Sequence, residues 1–284
     1  MAIDRQAWTA TARAALGLFR RKQWASALVA VIVLSGLFVQ LGRWQFHRHE
    51  QRTARAAVLD RNYGAAPVSL GELRWRGHSL PSALEWRAVR VTGSYQADRT
   101  LLARNRPLNG ANGYEVLVPL RTDDGRVLLV DRGWVAAGAT GAEPDAVPAP
   151  PSGPVTVVAR LRRSEEGVKR QPPAGQVMRI DVPSIASSLG EPLVGAYGVL
   201  ASESPAPATA PTPIPRPDPG LDINLPYAIQ WWIFAVAAYV LLGWGAVREV
   251  RRSAADRTPK RGAPDRSRSA TPRPPADRTA SAPR

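Results

Sequence analysis

The sequence predicts a membrane protein in which two transmembrane α-helices flank a β-rich, barrel-like extracytoplasmic domain of α+β type. Two uncharged apolar runs predict the helices, and short alternating apolar segments between them predict the sheet. A third observation, the placing of the basic residues, predicts how the chain is threaded.

The N-terminal segment, residues 1–23, holds five Lys/Arg against Asp4 alone. It leads into a first span over 24–44. Ala25 to Leu41 carries no charge, and at ~1.5 Å per residue such a run, with its flanks, covers roughly the 30 Å of a bilayer core. Trp24 and Trp44 close it as interfacial aromatics. The paired arginines of "FRRKQW" raise the alternative of a cleavable signal. Yet the apolar stretch exceeds a usual signal core, and "ARA" at 54–56 comes only after charged residues, so an uncleaved anchor is expected. A second span covers 226–247, with Tyr227 to Val247 uncharged and "REVRR" following. Arg20, Arg21 and Lys22 before the first span, and Arg248, Arg251 and Arg252 after the second, place both termini in the cytoplasm of a bacterial cell. Arg43, Arg48, Arg52 and Arg55 oppose that orientation, but long domains translocate largely regardless of charge.

Between the spans, residues 45–225 form the expected outer domain. Residues 45–61 continue the first helix in polar form. Val89, Val91, Gly93 and Tyr95 alternate within 87–95. "YEVLVPLRT" and "RVLLVDRGWV" flank "DDG" at 123–125, a hairpin signal because Asp-Gly supplies the positive φ of a tight turn. Further strands are expected at 155–162, 176–182 and 194–200. A short helix is expected at 183–190, with Asp181 near its start and Gly190 as its stop. Residues 202–220 are Pro/Ala-rich and read as a stiff extended connector back to the second span. Residues 248–284 read as a basic, disordered cytoplasmic tail.

Composition narrows the function. The absence of cysteine removes disulfides, thiolate metal sites and cysteine nucleophiles. The net charge of +15 sits mostly in the two terminal segments beside apolar runs, unlike the basic, aromatic-studded face of a nucleic-acid binder. No catalytic or nucleotide-binding motif appears, and no enzyme is expected. His78 lies in a loop-like "RGHSLP". His47 and His49 stand ~200° apart around a helix, so they cannot clamp one ion from a single helix. A polar helix exit at the headgroups is the plainer meaning of both.

"LGRWQFHRHEQR" at the end of the first span resembles the span exit of the Surfeit-locus (Shy-type) family of cytochrome c oxidase assembly factors. The resemblance continues through "EWRAVRVTGSY" (85–95), "LLARNRPLNGANGYEVLVPL" (101–120), "DGRVLLVDRGWV" (124–135) and "NLPYAIQWWIFA" (224–235). It implies help in delivering or inserting haem a into the oxidase's catalytic subunit, together with other assembly factors. It also implies a porphyrin cradle from Trp44, Gln45, Tyr227, Gln230 and Trp231 at the outer ends of the spans; His47 or His49 could stand in there as ligand, though no family pattern supports either. A partner surface would carry Arg106, Gly113, Arg132 and Trp134. For these the plainer readings are belt aromatics, turns, bulges and core packing. One departure stands out: Asn224 occupies the position where the family typically has a histidine proposed as haem ligand, and an amide is a poor iron ligand. That favours a haem-independent scaffold as the alternative; a membrane-anchored envelope sensor or enzyme is a further one.

Overall fold

The computed structural model describes residues 5–73, 75, 78–139, 143–170 and 172–256. The expected disordered tail beyond 256 lies outside them. The chain divides into two compact units, one from residues up to Phe46 together with those from Asn224 onward, the other from His47–Ile223.

The first unit is helical. α1 (Arg5–Leu18) occupies most of the expected N-terminal tail. α2 (Lys22–Tyr63) carries the first apolar run, crosses the unit boundary and continues through the polar segment. α4 (Asn224–Asp256) carries the second run and extends past Val247, so the first turns of the expected tail are helical. α2 and α4 are both long and apolar enough to cross a membrane. Val29, Val33 and Leu37 on α2 and Ile233, Val236 and Val240 on α4 are exposed, a band suited to lipid and not to water. Small residues let the spans approach. Ser35 Oγ donates to the Ala235 carbonyl at 3.2 Å, and a Cβ on Gly42 would meet Trp232 Cδ1 at 2.6 Å.

The second unit is a barrel. Its strands are β1 (Val68–Ser69), β2 (Ala88–Tyr95), β3 (Leu101–Arg104), β4 (Gly113–Thr122), β5 (Val127–Ala136), β6 (Pro154–Arg162), β7 (Gln176–Val177) and β8 (Tyr197–Ser204), with α3 (Val182–Leu189) before β8. β2, β6, β8, β5 and β4 pair in that order, and β4 returns to β2, closing five strands without a free edge. Only β5–β8 is parallel within the ring. β1 lies beside β2, β3 beside β4, and β7 beside β3. Val89, Val91, Leu120, Leu128, Val130, Val155, Val157 and Leu161 fill the interior. Leu117, Leu129 and Val199 point the other way, under Ile180, Val182 and Ile185 of α3 and its approach. β5 is thus buried on both faces, which is why "VLLV" reads as an unbroken apolar run.

The Asp-Gly hairpin forms between β4 and β5, with Gly125 at φ +84°. The expected strand at 176–182 is cut to two residues. Asp181 there accepts a hydrogen bond from the Ser184 N–H and caps α3, and Gly190 ends that helix at φ +64°. β8 starts three residues later than the pattern at 194–200 suggests and runs into the Pro-rich segment.

The remainder of that segment is bound to its own unit. Thr212 bridges β5, Ile214 packs on the outer core cluster, and Arg216 pairs with Asp60 and lies over the Tyr63 ring at 5.1 Å. Arg52 donates to the Pro219 carbonyl, and His49 pairs with Asp222. As the connector runs from 216 to 222, its partners on α2 fall from 60 to 49. Helical and polyproline rises make both paths roughly 17–19 Å, so the two elements stay in register.

Candidate functional site

The span-end residues come first. Phe38, Trp231 and Phe234 form an aromatic group, with Phe38 stacked on Trp231 at 5.5 Å. Trp232 lies across Gly42 and meets Phe46 at 5.9 Å. Trp44 and Tyr227 are exposed, as is Gln230, and Gln45 is half-buried. A groove of about 570 Å³ between the spans lies further along them, lined by Ser35, Gly36, Gln40, Ala235 and Tyr239 among others. The structure therefore joins Trp231 to phenylalanines that the sequence reading did not single out. Trp44, Gln45, Tyr227 and Gln230 do not line that groove.

His47 is exposed; its Nε2 is 2.8 Å from the Gln51 amide and its Nδ1 is 3.8 Å from Glu50. His49 is held by the Asp222 carboxylate. His78 is exposed at the rim of a cavity of about 690 Å³ lined by Trp75, Arg126, Pro183 and Leu193. Among the described residues, no three His, Cys, Asp or Glu side chains converge as metal ligands.

The four residues expected at a partner surface are found together inside the barrel unit. Between the pairs Glu115–Trp134 and Leu117–Asp131, β4 has one residue and β5 has two, so β5 bulges at Arg132 and Gly133. Gly133 takes φ +134°, and its N–H donates to Asp131 Oδ1 at 3.1 Å. A Cβ there would stand 2.5 Å from the Thr212 carbonyl oxygen. Trp134 covers Gly113, where a Cβ would meet its Cζ2 at 2.5 Å, and its Nε1 donates to the Arg106 carbonyl at 2.7 Å. These contacts are why "GYEV" and "DRGWV" need their glycines.

Arg132 is not at a surface. Its side chain has no solvent exposure, against 4% for its partner Glu203. Nη2 donates to Glu203 Oε1 at 2.7 Å and Nη1 to the Pro148 carbonyl at 2.9 Å. Tyr95 donates to the other Glu203 oxygen at 2.8 Å, and burial followed by the Glu203 charge pushes its phenol up, so it stays a donor. The expectation of a docking arginine is corrected here: the guanidinium is consumed by a buried, fully bonded pair.

Arg106 is also largely enclosed. It donates to both Glu165 oxygens at 3.0 and 2.8 Å, and its Nε lies 3.1 Å from Glu115. Burial raises the Glu165 carboxyl, but the Arg106 hydrogen bonds and charge outweigh it and leave the group below its usual range. Burial pushes Glu115 up against the pull of Arg106. Asp131, fully enclosed and near Glu115, is pushed well above the carboxylate range. One arginine thus cannot neutralise every carboxyl around it, and at Asp131 burial and the Glu115 charge favour the protonated form. The sequence signal for this cluster is weak, since Glu115 and Asp131 sit in ordinary strands and Glu165 in the loop after β6.

A model of the SURF1 family matches residues 32–236, which takes in part of each apolar run and the whole barrel. The chain is 31% identical over 255 residues to uncharacterized SURF1-like proteins of Mycobacterium bovis and Mycobacterium tuberculosis, covering 88% of this chain and 92% of each relative. It is 28% identical over 97 residues to the cytochrome oxidase assembly protein SHY1 of Saccharomyces cerevisiae, covering 34% of this chain and 24% of that protein. Two apolar helices that precede and follow a closed barrel along the chain, and a family match running from one helix to the other, make this chain a member of the SURF1 family.

Proposed function

We propose that the protein is a two-span bacterial cell-membrane factor for assembly of a haem–copper terminal oxidase of the cytochrome c oxidase class, acting without catalysis on the catalytic subunit alongside other assembly factors. The observation that carries this is membership in one family with a yeast relative named for cytochrome oxidase assembly. The architecture agrees: helices with exposed apolar bands give membrane residence, and a rigid closed barrel gives a surface for a partner. Both termini are proposed to be cytoplasmic, from the basic residues beside the spans.

Haem a delivery is the finer reading, and the residues of the spans do not fit an iron site. Residues 24–46 and 224–247 contain no histidine, cysteine or methionine, which leaves the phenols of Tyr227 and Tyr239 and the amide of Asn224 as the candidate donors. The aromatic group around Trp231 supplies ring faces but no axial ligand. We therefore favour a scaffold that stabilises the subunit while haem is inserted.

Deleting the gene tests the role. The strain is expected to lose oxidase activity and its reduced-minus-oxidised haem a signal, with cytochrome b and c signals retained. An unchanged oxidase spectrum would overturn the assembly reading. The protein purified with its spans from a haem a-producing host is expected to show no Soret band. A band abolished by His47→Ala with His49→Ala would establish delivery in its place.

A further inference from the structure

The groove of about 570 Å³ between the two spans is lined by one face of each helix. Ile32, Gly36 and Gln40 stand four residues apart on α2, as do Ala235 and Tyr239 on α4. Ser35 and Ala235, both buried and joined by their hydrogen bond, form its floor. Two features of this groove have no explanation inside the chain. The first is polar. Tyr239 is 46% exposed and stands twelve residues after Tyr227 and nine before Arg248, roughly 18 and 14 Å from the two ends of the uncharged run. Its hydroxyl has no hydrogen-bond partner among the described residues, and from the middle of a bilayer core it reaches neither surface. Gln40, one turn inside Trp44, has an amide that likewise lacks a partner among them. The second feature is empty space. A Cβ at Gly36 would meet nothing within 4 Å, and the same holds at Gly243, one turn beyond Tyr239. Gly42, by contrast, is kept small by Trp232. Glycine inside a helix is costly, so the space it leaves needs a use, and nothing within the chain fills it at Gly36.

We infer, on the assembly role proposed above, that this groove is the docking site for a transmembrane helix of the catalytic subunit, one that presents hydrogen-bond acceptors level with Tyr239 and Gln40. In hydrocarbon no water drives apolar faces together. Helices associate there where small residues admit a close backbone and where a polar group finds its partner. The groove supplies both on one face. Acyl chains fill space but accept no hydrogen bond, and the lipid's own oxygens lie at the bilayer surface. A second copy of this chain fits badly. A two-fold contact sets the groove against itself, concave on concave, and leaves the hollow unfilled. A single helix ridge fills it, and a hydroxyl or a kink-exposed carbonyl on that ridge accepts from the phenol.

The test uses the full chain in the membranes of its own host, with the catalytic subunit followed by antibody. Co-purification of that subunit with the wild-type chain tests the assembly role, and the position of cross-linking tests the groove. A photoreactive p-benzoylphenylalanine in place of Val236, at the groove, is expected to give at least tenfold more adduct with the subunit than one in place of Leu241, on the opposite face of α4. Gly36→Leu fills the groove without touching the chain's own packing, and is expected to abolish the Val236 adduct. Tyr239→Phe with Gln40→Leu keeps the apolar shape and is expected to lower the adduct about fivefold, the modest value of two interhelical hydrogen bonds in a membrane. Equal adducts from the two positions would overturn the inference, as would a Val236 adduct that survives Gly36→Leu. An adduct of twice the chain's mass would reassign the groove to a second copy, and one carrying only a lipid-soluble small molecule would reassign it to that ligand; either overturns the inference. A subunit that co-purifies without a Val236 adduct would remove the groove alone, whereas one that does not co-purify would remove the assembly role with it.

Discussion

Thr212 and Trp134 exchange both backbone hydrogen bonds, at 2.7 and 2.8 Å, so the Pro-rich connector is clasped to the bulge of β5. The clasp needs an N–H at 212 and no side chain at 133. Thr212→Pro removes one donor and leaves the Trp134 carbonyl short of a partner, at a cost of about 1–3 kcal/mol. The expected readout is faster proteolysis between 204 and 223 with the barrel's circular dichroism retained. Gly133→Ala, strained at φ +134°, is expected to do the same and to lower the melting temperature.

The Arg132–Glu203 pair makes a different kind of demand. Arg132→Met alone leaves a buried carboxylate uncompensated and is expected to cost about 3–5 kcal/mol. Adding Glu203→Leu is expected to recover most of that loss. Urea unfolding of the full chain in detergent, followed by tryptophan fluorescence, distinguishes the two; equal losses in the single and double variants would contradict the geometry.

Asp131 makes stability depend on pH. Its carboxyl is raised in the folded state, so the folded protein holds a proton that the unfolded chain releases. The stabilisation tied to that proton is fully present below the ordinary carboxylate range, and is lost progressively as pH rises towards the folded value. Asp131→Asn keeps the oxygen that accepts from Gly133 and cannot ionise. Its melting temperature at pH 8 is expected to exceed that of wild type, by about 2–4 °C for each kcal/mol gained, with little difference at pH 4. A larger gain at pH 4 than at pH 8 would reverse the assignment.

Gly42 sets the approach of the spans. Gly42→Val pushes against the Trp232 ring and is expected to part the helices near that level. The natural absence of cysteine makes the measurement clean: Ser35→Cys with Ala235→Cys is expected to cross-link in the parent and markedly less with Gly42→Val.

Threading has its own test. A reporter active only outside the cytoplasm, fused after Gly138, is expected to be active; fused after Arg252, it is expected to be silent. The reverse pattern would invert the orientation.

Much of this was legible in sequence because it is local. Uncharged length specifies α2 and α4, Asp-Gly specifies the β4–β5 turn, and Asp181 with Gly190 brackets α3. Each depends on residues within a few positions of one another. Closure of the ring rests on Gly93, Ser94 and Tyr95 pairing with Leu120, Arg121 and Thr122, and no period within either strand names that partner. The same holds for the strap, where Arg216 finds Asp60 only after the barrel has brought 212 to 134. Arg132 and Arg106 show the sharpest division. The sequence determined that Arg132 stands beside a glycine in a strand and Arg106 beside a proline in a loop; the bulge and the enclosed Glu203, Glu115 and Glu165 decided that they face inward. A side chain's charge is fixed by its chemistry, but whether it meets water, a partner or a buried carboxylate is fixed by register, which only the closed sheet sets.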